Sequence, residues 1–320
     1  LLKRDGTMTL VGVPEHSHPA LDVGTLVFRR RALAGSLIGS AAPGVADETR
    51  PAERAEINPD IAGAEALPLP GTRTHLDELP IVPNPSCGNI LLLQTSDAEL
   101  YAPMLAQSAR TTRIYAKRHG YDYDAFVGIK RGHRPWHASY NRIDLLMDLV
   151  RADYQGWVFY VDADAWIEDL DFDLSAYLCG KGRFALIAAL AEHDSQAYWN
   201  VNNGVMLFNL GHSFTRALIT EWERFLSRYD IAAEAHHWNV EVVDDQGMFH
   251  QILDKLPYAA EHIYLESKDL LNSPWAHFAR HAMRAENTDF AARLKMIHEQ
   301  VDAVLAADHE RRLASVALEG

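Results

Sequence analysis

Cysteine is almost missing from this chain: Cys87 and Cys179 are its only two in 320 residues. So few exclude a disulfide framework or a cysteine-built zinc site, and both are read as ordinary buried thiols. Long apolar runs are missing too. No stretch of about 20 apolar residues occurs, so no transmembrane helix and no stable membrane insertion are expected. The nearest approach is Arg29–Arg31 followed by Ala32–Ala42, which has the basic-then-apolar order of a signal segment. It is short, rich in Gly and Ser and well inside the chain, and reads as a surface loop or short helix. Positive charge is scarce: thirty Lys and Arg stand against forty-four Asp and Glu, a net charge of −14. That argues against a nucleic-acid partner but leaves room for a local basic pocket.

What the chain does have is 48% hydrophobic residues, enough for one large α/β domain or two modest ones. Its character changes near Pro83–Cys87. Residues 1–85 read as an irregular N-terminal extension, dense in Ala, Pro, Gly and acidic residues from Ala41 onward. Two short strands, Thr7–Val13 and Val23–Phe28, are expected there as a hairpin, with His16 and His18 in an exposed loop. Residues 86–310 read as the main domain and 311–320 as a C-terminal tail. The chain opens on Leu1, not Met, so a processed or truncated product is expected. The place expected for it is cytoplasmic or peripheral at a membrane, or lumenal if a signal or anchor ahead of Leu1 has been removed.

Within the main domain, strands and helices alternate as a mostly parallel sheet requires. Strands are expected at Asn89–Gln94, Tyr121–Val127, Trp157–Val161, Phe184–Leu190 and Gly204–Phe208. Helices are expected through Leu100, Met104 and Ile114, then at Tyr140–Val150, through Phe214–Phe225, at Gln246–Leu253 and at Phe290–Leu305. The segment Trp157–Val161 is apolar without interruption, as in a strand covered on both faces. It ends in Asp162 and Asp164, whose side chains share a face if the extension continues. Two carboxylates so close repel unless a cation lies between them, and a hard divalent ion is the usual remedy. A D-x-D string alone is weak; here the apolar strand before it gives it context.

Further strings follow. Trp199–Asn209 sets Asn202, Asn203 and Gly204 before an apolar run, where amides suit sugar hydroxyls as well as they suit a polar turn. Asp244-Asp245-Gln246 opens a helix, where an aspartate is also a good cap. His277 is a candidate metal ligand, with His281 as second candidate. Arg142, one helix before the D-x-D, is placed to face a diphosphate. Thr95 lies at a strand's carboxyl end, where ligands of open α/β sheets bind.

This joint order resembles retaining GT-A glycosyltransferases of the family containing xyloglucan xylosyltransferases and fungal α-galactosyl- and α-mannosyltransferases, over roughly residues 88–285. The resemblance implies a Rossmann-like, mostly parallel sheet flanked by helices, and hexosyl or pentosyl transfer from a nucleoside diphosphate sugar, with UDP favoured, to a glycan or other hydroxyl acceptor. It implies Mn²⁺ or Mg²⁺ held with the diphosphate by Asp162, Asp164 and His277, and Asp245 with Gln246 beside the reacting sugar; the reading of the residues themselves adds Thr95 and Arg142 as expected donor contacts and Asn202, Asn203 and Asp244 as expected sugar contacts. One departure is Arg280, which stands where the family has glycine, with no lysine soon after. Two rival readings are a non-catalytic carbohydrate- or nucleotide-binding protein of this fold and a sugar nucleotidyltransferase. The latter lacks its glycine-rich loop after Leu93.

Overall fold

The computed structural model describes residues 8–9, 33–34, 87–192, 195, 197–231, 243–284 and 289–319. Contacts divide the chain into a unit of Leu1–Glu56 with Asn239–Glu241 and a unit of Ile57–Trp238 with Val242–Gly320. In the first, β1 (Met8–Thr9) pairs in parallel with β2 (Leu33–Ala34). The expected Val23–Phe28 strand, the loop histidines and the remainder of the 1–85 extension lie outside the described residues.

The second unit carries β3 (Ile90–Ser96), α1 (Ala102–His119), β4 (Asp122–Val127), α2 (Asn141–Arg151), β5 (Trp157–Val161), β6 (Ala165–Ile167) and α3 (Leu174–Leu178). There follow β7 (Leu186–Leu190), β8 (Val201–Asn209), α4 (Ser213–Arg228), α5 (Asp245–Asp254), β9 (Ile263–Glu266), β10 (Leu271–Ser273), β11 (Ala279–His281) and α6 (Phe290–Glu319). Six strands form one sheet in the order β4-β3-β5-β8-β7-β9, and β10-β11-β6 form a small second sheet. All neighbours in the large sheet are parallel except β8, which runs against both β5 and β7. The expected α/β class with a mostly parallel central sheet is therefore what the chain adopts.

Alternation along β5 sets up both cores. Val158 and Tyr160 join one cluster with Ile143 of α2, Phe214 of α4 and Phe249 of α5. Trp157, Phe159 and Val161 join the other with Tyr115 of α1, Trp166 of β6 and Ile297 of α6. Every β5 residue is buried, as its uninterrupted apolar run requires. Truncating Trp157 or Phe159 to Ala would cost about 3–5 kcal/mol. The helices carry ordinary stop and start signals. α1 ends on Gly120 at φ 69°, a left-handed cap, and α5 begins on Asp244, whose side chain accepts the Gly247 N–H.

Three expectations change. The amide-rich Asn202-Asn203 segment is not a turn before a strand but part of β8 itself. The last helix continues to Glu319, so 311–319 prolong it instead of forming a separate tail. Cys87 and Cys179 are not thiols: they form a disulfide across 92 residues, with Cα atoms 5.2 Å apart. Sequence spacing says nothing of that contact, because the sheet brings the segment before β3 against the end of α3.

Candidate active site and metal centre

The D-x-D lies where β5 leaves the sheet. Asp162 N–H still donates to Gly204 O at 2.8 Å, but the chain then turns, with Ala165 N–H donating to Asp162 O at 3.0 Å. The two carboxylates therefore converge by a tight turn between β5 and β6, not by continued extension. The side chain of Ser108 in α1 braces that turn, donating to Ala163 O at 2.8 Å.

The third group is His281. β11 runs antiparallel to β6 with His281 opposite Ala165, and Ala282 N–H donates to Asp164 O at 2.9 Å. This pairing carries His281 Nε2 to 3.3 Å from Asp164 Oδ1. Asp162, Asp164 and His281 can each offer one ligand atom, all within 4.8 Å of one another. His277 does not join them. It is exposed, in the turn before β11, and its backbone N–H is taken by Asp269 O. The conspicuous His277-Phe278 string instead delivers Phe278 to the core, stacked on Phe172 at 4.1 Å.

Gly204 makes room for this cluster. A Cβ at that position would lie 2.2 Å from His281 Cε1 and 3.0 Å from Asp162 Oδ2. Two carboxylates and an imidazole crowded over a bare backbone suit a hard or borderline divalent ion such as Mn²⁺, so the residues present fit the expected metal.

Arg142 has a role other than the expected one. Its Nη2 lies 2.8 Å from Asp162 Oδ1 and its Nε 2.8 Å from Asp245 Oδ2. Nη1 donates to Asn203 O, and the guanidinium lies 4.3 Å over the Tyr160 ring. All three nitrogens are engaged by the protein, so Arg142 organises the carboxylates and does not present a free fork to a diphosphate. One cation between a half-buried carboxylate, Asp162, and a buried one, Asp245, is an unbalanced arrangement. Asp245 is pushed up to about 7, first by burial, then by the charges of Asp244 and Asp162, against the pull of Arg142. Asp162 is also raised, by burial and by Asp164. Burial works on Asp164 too, but His281 and Arg293 outweigh it and its carboxyl is lowered. His281 is raised in return, the Asp164 charge overcoming burial.

The remaining expected residues gather nearby with varied roles. Asn203 Nδ2 donates to Asp245 Oδ2 at 2.6 Å, and Asn203 N–H donates to Gln246 Oε1 at 3.0 Å. Asn202 Oδ1 accepts the Gly204 N–H at 2.9 Å. Asp244 Oδ1 caps α5 through the Gly247 N–H. Thr95 is buried and its hydroxyl accepts from Asn141 Nδ2 at 2.9 Å, which holds the loop after β4 through Gly128 O and Lys130 N. Two residues escaped the sequence reading. Asn272 Oδ1 lies 2.8 Å from His281 Nδ1, and Arg293 of α6 lies 3.7 Å from Asp164 Oδ2.

No protein-family model matches the chain. An Escherichia coli (strain K12) protein described as aldehyde reductase YahK is 62% identical over 39 residues, 12% of this chain and 11% of that protein. Among solved structures, a glycosyltransferase involved in glycosylation of the major capsid of PBCV-1 is similar at 12% identity and TM-score 0.49. That likeness covers 66% of this chain and 99% of the other. The glycosyltransferase GlyE of Streptococcus pneumoniae TIGR4 follows at 13% identity and TM-score 0.33, covering 68% and 64%. A Drosophila galactosyltransferase variant in complex with manganese, UDP-Gal and xylobiose gives 11% identity and TM-score 0.35, covering 62% and 73%.

Proposed function

We propose that residues 86–310 form a GT-A glycosyltransferase that moves a hexosyl or pentosyl group from a nucleoside diphosphate sugar, with UDP favoured, to an acceptor hydroxyl with retention. The observation that carries this reading is the convergence of Asp162, Asp164 and His281 at the carboxyl end of β5. Ligands of open α/β sheets bind at such ends. Asp162, Asp164 and His281 would hold Mn²⁺ or Mg²⁺, which supplies neutralisation of charge on a departing diphosphate. The protein's own part is positioning. Arg142 locks Asp162 and Asp245 to one guanidinium, Asn203 fixes Asp245, and Gln246 is pinned to the β8 backbone. Asp245, its carboxyl raised by burial and by the neighbouring aspartates, is suited to lie beside the donor sugar with Gln246, while Asn202 and Asn203 flank it.

A panel of nucleotide sugars tests the reading, with Mn²⁺-dependent release of nucleoside diphosphate as the readout. Release from at least one donor is expected. Pyrophosphate production would point instead to a nucleotidyltransferase, and binding without turnover of any donor to a non-catalytic sugar-nucleotide binder.

A further inference from the structure

Gln94 follows four aliphatic residues of β3, Ile90 to Leu93, and its amide is fully buried. A buried amide is costly unless bonded, and this one is bonded at both ends. Oε1 accepts from the Tyr123 hydroxyl of β4 at 3.3 Å, which turns Nε2 toward the D-x-D. Nε2 donates to Asp162 O at 3.4 Å and to Ser108 Oγ at 3.3 Å. Ser108, fully buried in α1, in turn donates to Ala163 O at 2.8 Å.

The middle residue of the D-x-D is held by its side chain as well. Ala163 is buried in a cluster with Leu105 and Ala109, which share one face of α1 with Ser108. Ala163 is the link between the two aspartates, whose ligand atoms lie within 4.8 Å of each other and of His281. Rotation of its peptide plane would carry the two carboxylates to a different spacing. A core that needed only stability would be served as well by apolar groups of the same shape. A fully bonded polar chain instead specifies one arrangement of the turn.

We propose that Gln94 and Ser108 are positioning residues of the metal centre, fixing through the turn's backbone the spacing at which Asp162 and Asp164 share one divalent ion. This rests on the metal-site reading above. Both residues act through backbone carbonyls and not as ligands. They complement Arg142 and His281, which hold the carboxylates directly.

The test is calorimetric titration of the full chain with Mn²⁺, paired with denaturant melts of the metal-free chain, for Ser108→Ala, Gln94→Met and Thr112→Val. Thr112 is the control: it is fully buried one turn along α1, and its hydroxyl bonds within the helix, to Ser108 O at 3.3 Å. Ser108→Ala should weaken Mn²⁺ binding by about tenfold or more, as loss of a group that orients ligands does. Gln94→Met keeps the length and loses the donor, and should fall between Ser108→Ala and the parent. Thr112→Val should lower the melting midpoint and leave Mn²⁺ affinity at the parent's value. Parent-like affinity in both Ser108→Ala and Gln94→Met overturns the assignment. An equal loss in Thr112→Val also overturns it, since any softening of α1 would then suffice. A loss in one variant alone keeps that residue's role and ends the other's. If Ser108→Ala does not fold, Gln94→Met decides against Thr112→Val: weaker Mn²⁺ binding supports the role and parent-like binding ends it. A parent chain that binds neither Mn²⁺ nor Mg²⁺ overturns the metal centre itself, whereas a parent that binds while the variants match it overturns only the positioning role.

Discussion

Asn272 Oδ1 accepts from His281 Nδ1 at 2.8 Å and thereby decides which nitrogen of the ring faces Asp164. The amide's own orientation is set by Nδ2, which donates to Asn202 O at 2.8 Å and to Val205 O at 3.3 Å. Asn272 sits at φ 66°, a left-handed conformation that asparagine tolerates better than most residues. With Nδ1 carrying the proton, Nε2 is left free to act as a ligand. Asn272→Ala should therefore weaken Mn²⁺ binding by about 10–100-fold. His281→Ala should remove it and His277→Ala should leave it unchanged. Titration of the three variants with Mn²⁺ checks this; an effect at His277 as large as at His281 would sink the ligand assignment.

The carboxylates themselves are tested by Asp162→Asn and Asp164→Asn, which keep shape and remove charge. Loss of the ion's hold on the diphosphate should lower turnover by about 10²-fold or more. Asp162→Asn still leaves Arg142 paired with Asp245, so folding should survive. Turnover close to the parent's in both variants, at saturating Mn²⁺, is the outcome that contradicts the metal site.

Gly204 offers a steric test. An added methyl would meet His281 Nδ1 at 2.6 Å, well inside contact distance, against a ring held by Asn272. Gly204→Ala should destabilise the fold by about 1–3 kcal/mol and weaken Mn²⁺ binding at the same time. Denaturant melts with unchanged midpoint would show that the ring moves aside freely.

Asp245 makes stability depend on pH. Its carboxyl is raised to about 7, above its usual range, so the folded chain holds a proton that the unfolded chain releases from about pH 4 upward. Stability from this group is thus full at acid pH, falls as pH rises through the interval, and is lost once pH passes about 7. The total is on the order of a few kcal/mol. Asp162 and His281 are also raised and slope the same way, so the measurement is a difference. Asp245→Asn should lose less stability than the parent between pH 5 and about 8. Parallel curves would contradict the shift.

The Cys87–Cys179 bridge closes a loop of 92 residues. A loop of that size restricts the unfolded chain by roughly 4–5 kcal/mol in the simple entropic account. Cys179→Ser should lower the melting temperature, and a non-reducing peptide map should recover the linked pair. Free thiols at both positions in the folded protein would overturn the bridge.

Much of the frame could be read from residue order because burial patterns are local. The run Trp157–Val161 announces a strand covered on both sides, and its alternation supplies both cores. The D-x-D, Asp245 and Gln246 likewise stand in strings whose neighbours give them context. What eluded the reading depends on pairings distant in sequence. His277 and His281 differ only by four positions, and it is the β11–β6 register that chooses His281. Arg142 looked free because its partners, Asp162 and Asp245, lie 20 and 103 residues away by number. Asn272 and Arg293 belong to no string at all; each acquires its role only from what the fold sets beside it.

The reversed direction of β8 has an evolutionary corollary. Because that strand enters the sheet from the end at which β5 leaves it, Asn202 to Gly204 arrive directly at the aspartates, with Val205 opposite Val161. Side chains on a strand alternate between faces, so losing or gaining one residue between Val201 and Val205 would exchange the inward and outward sets together. Relatives of this chain should therefore vary here by replacement and keep the spacing, while length changes collect in the segments joining α4 to α5 and β11 to α6.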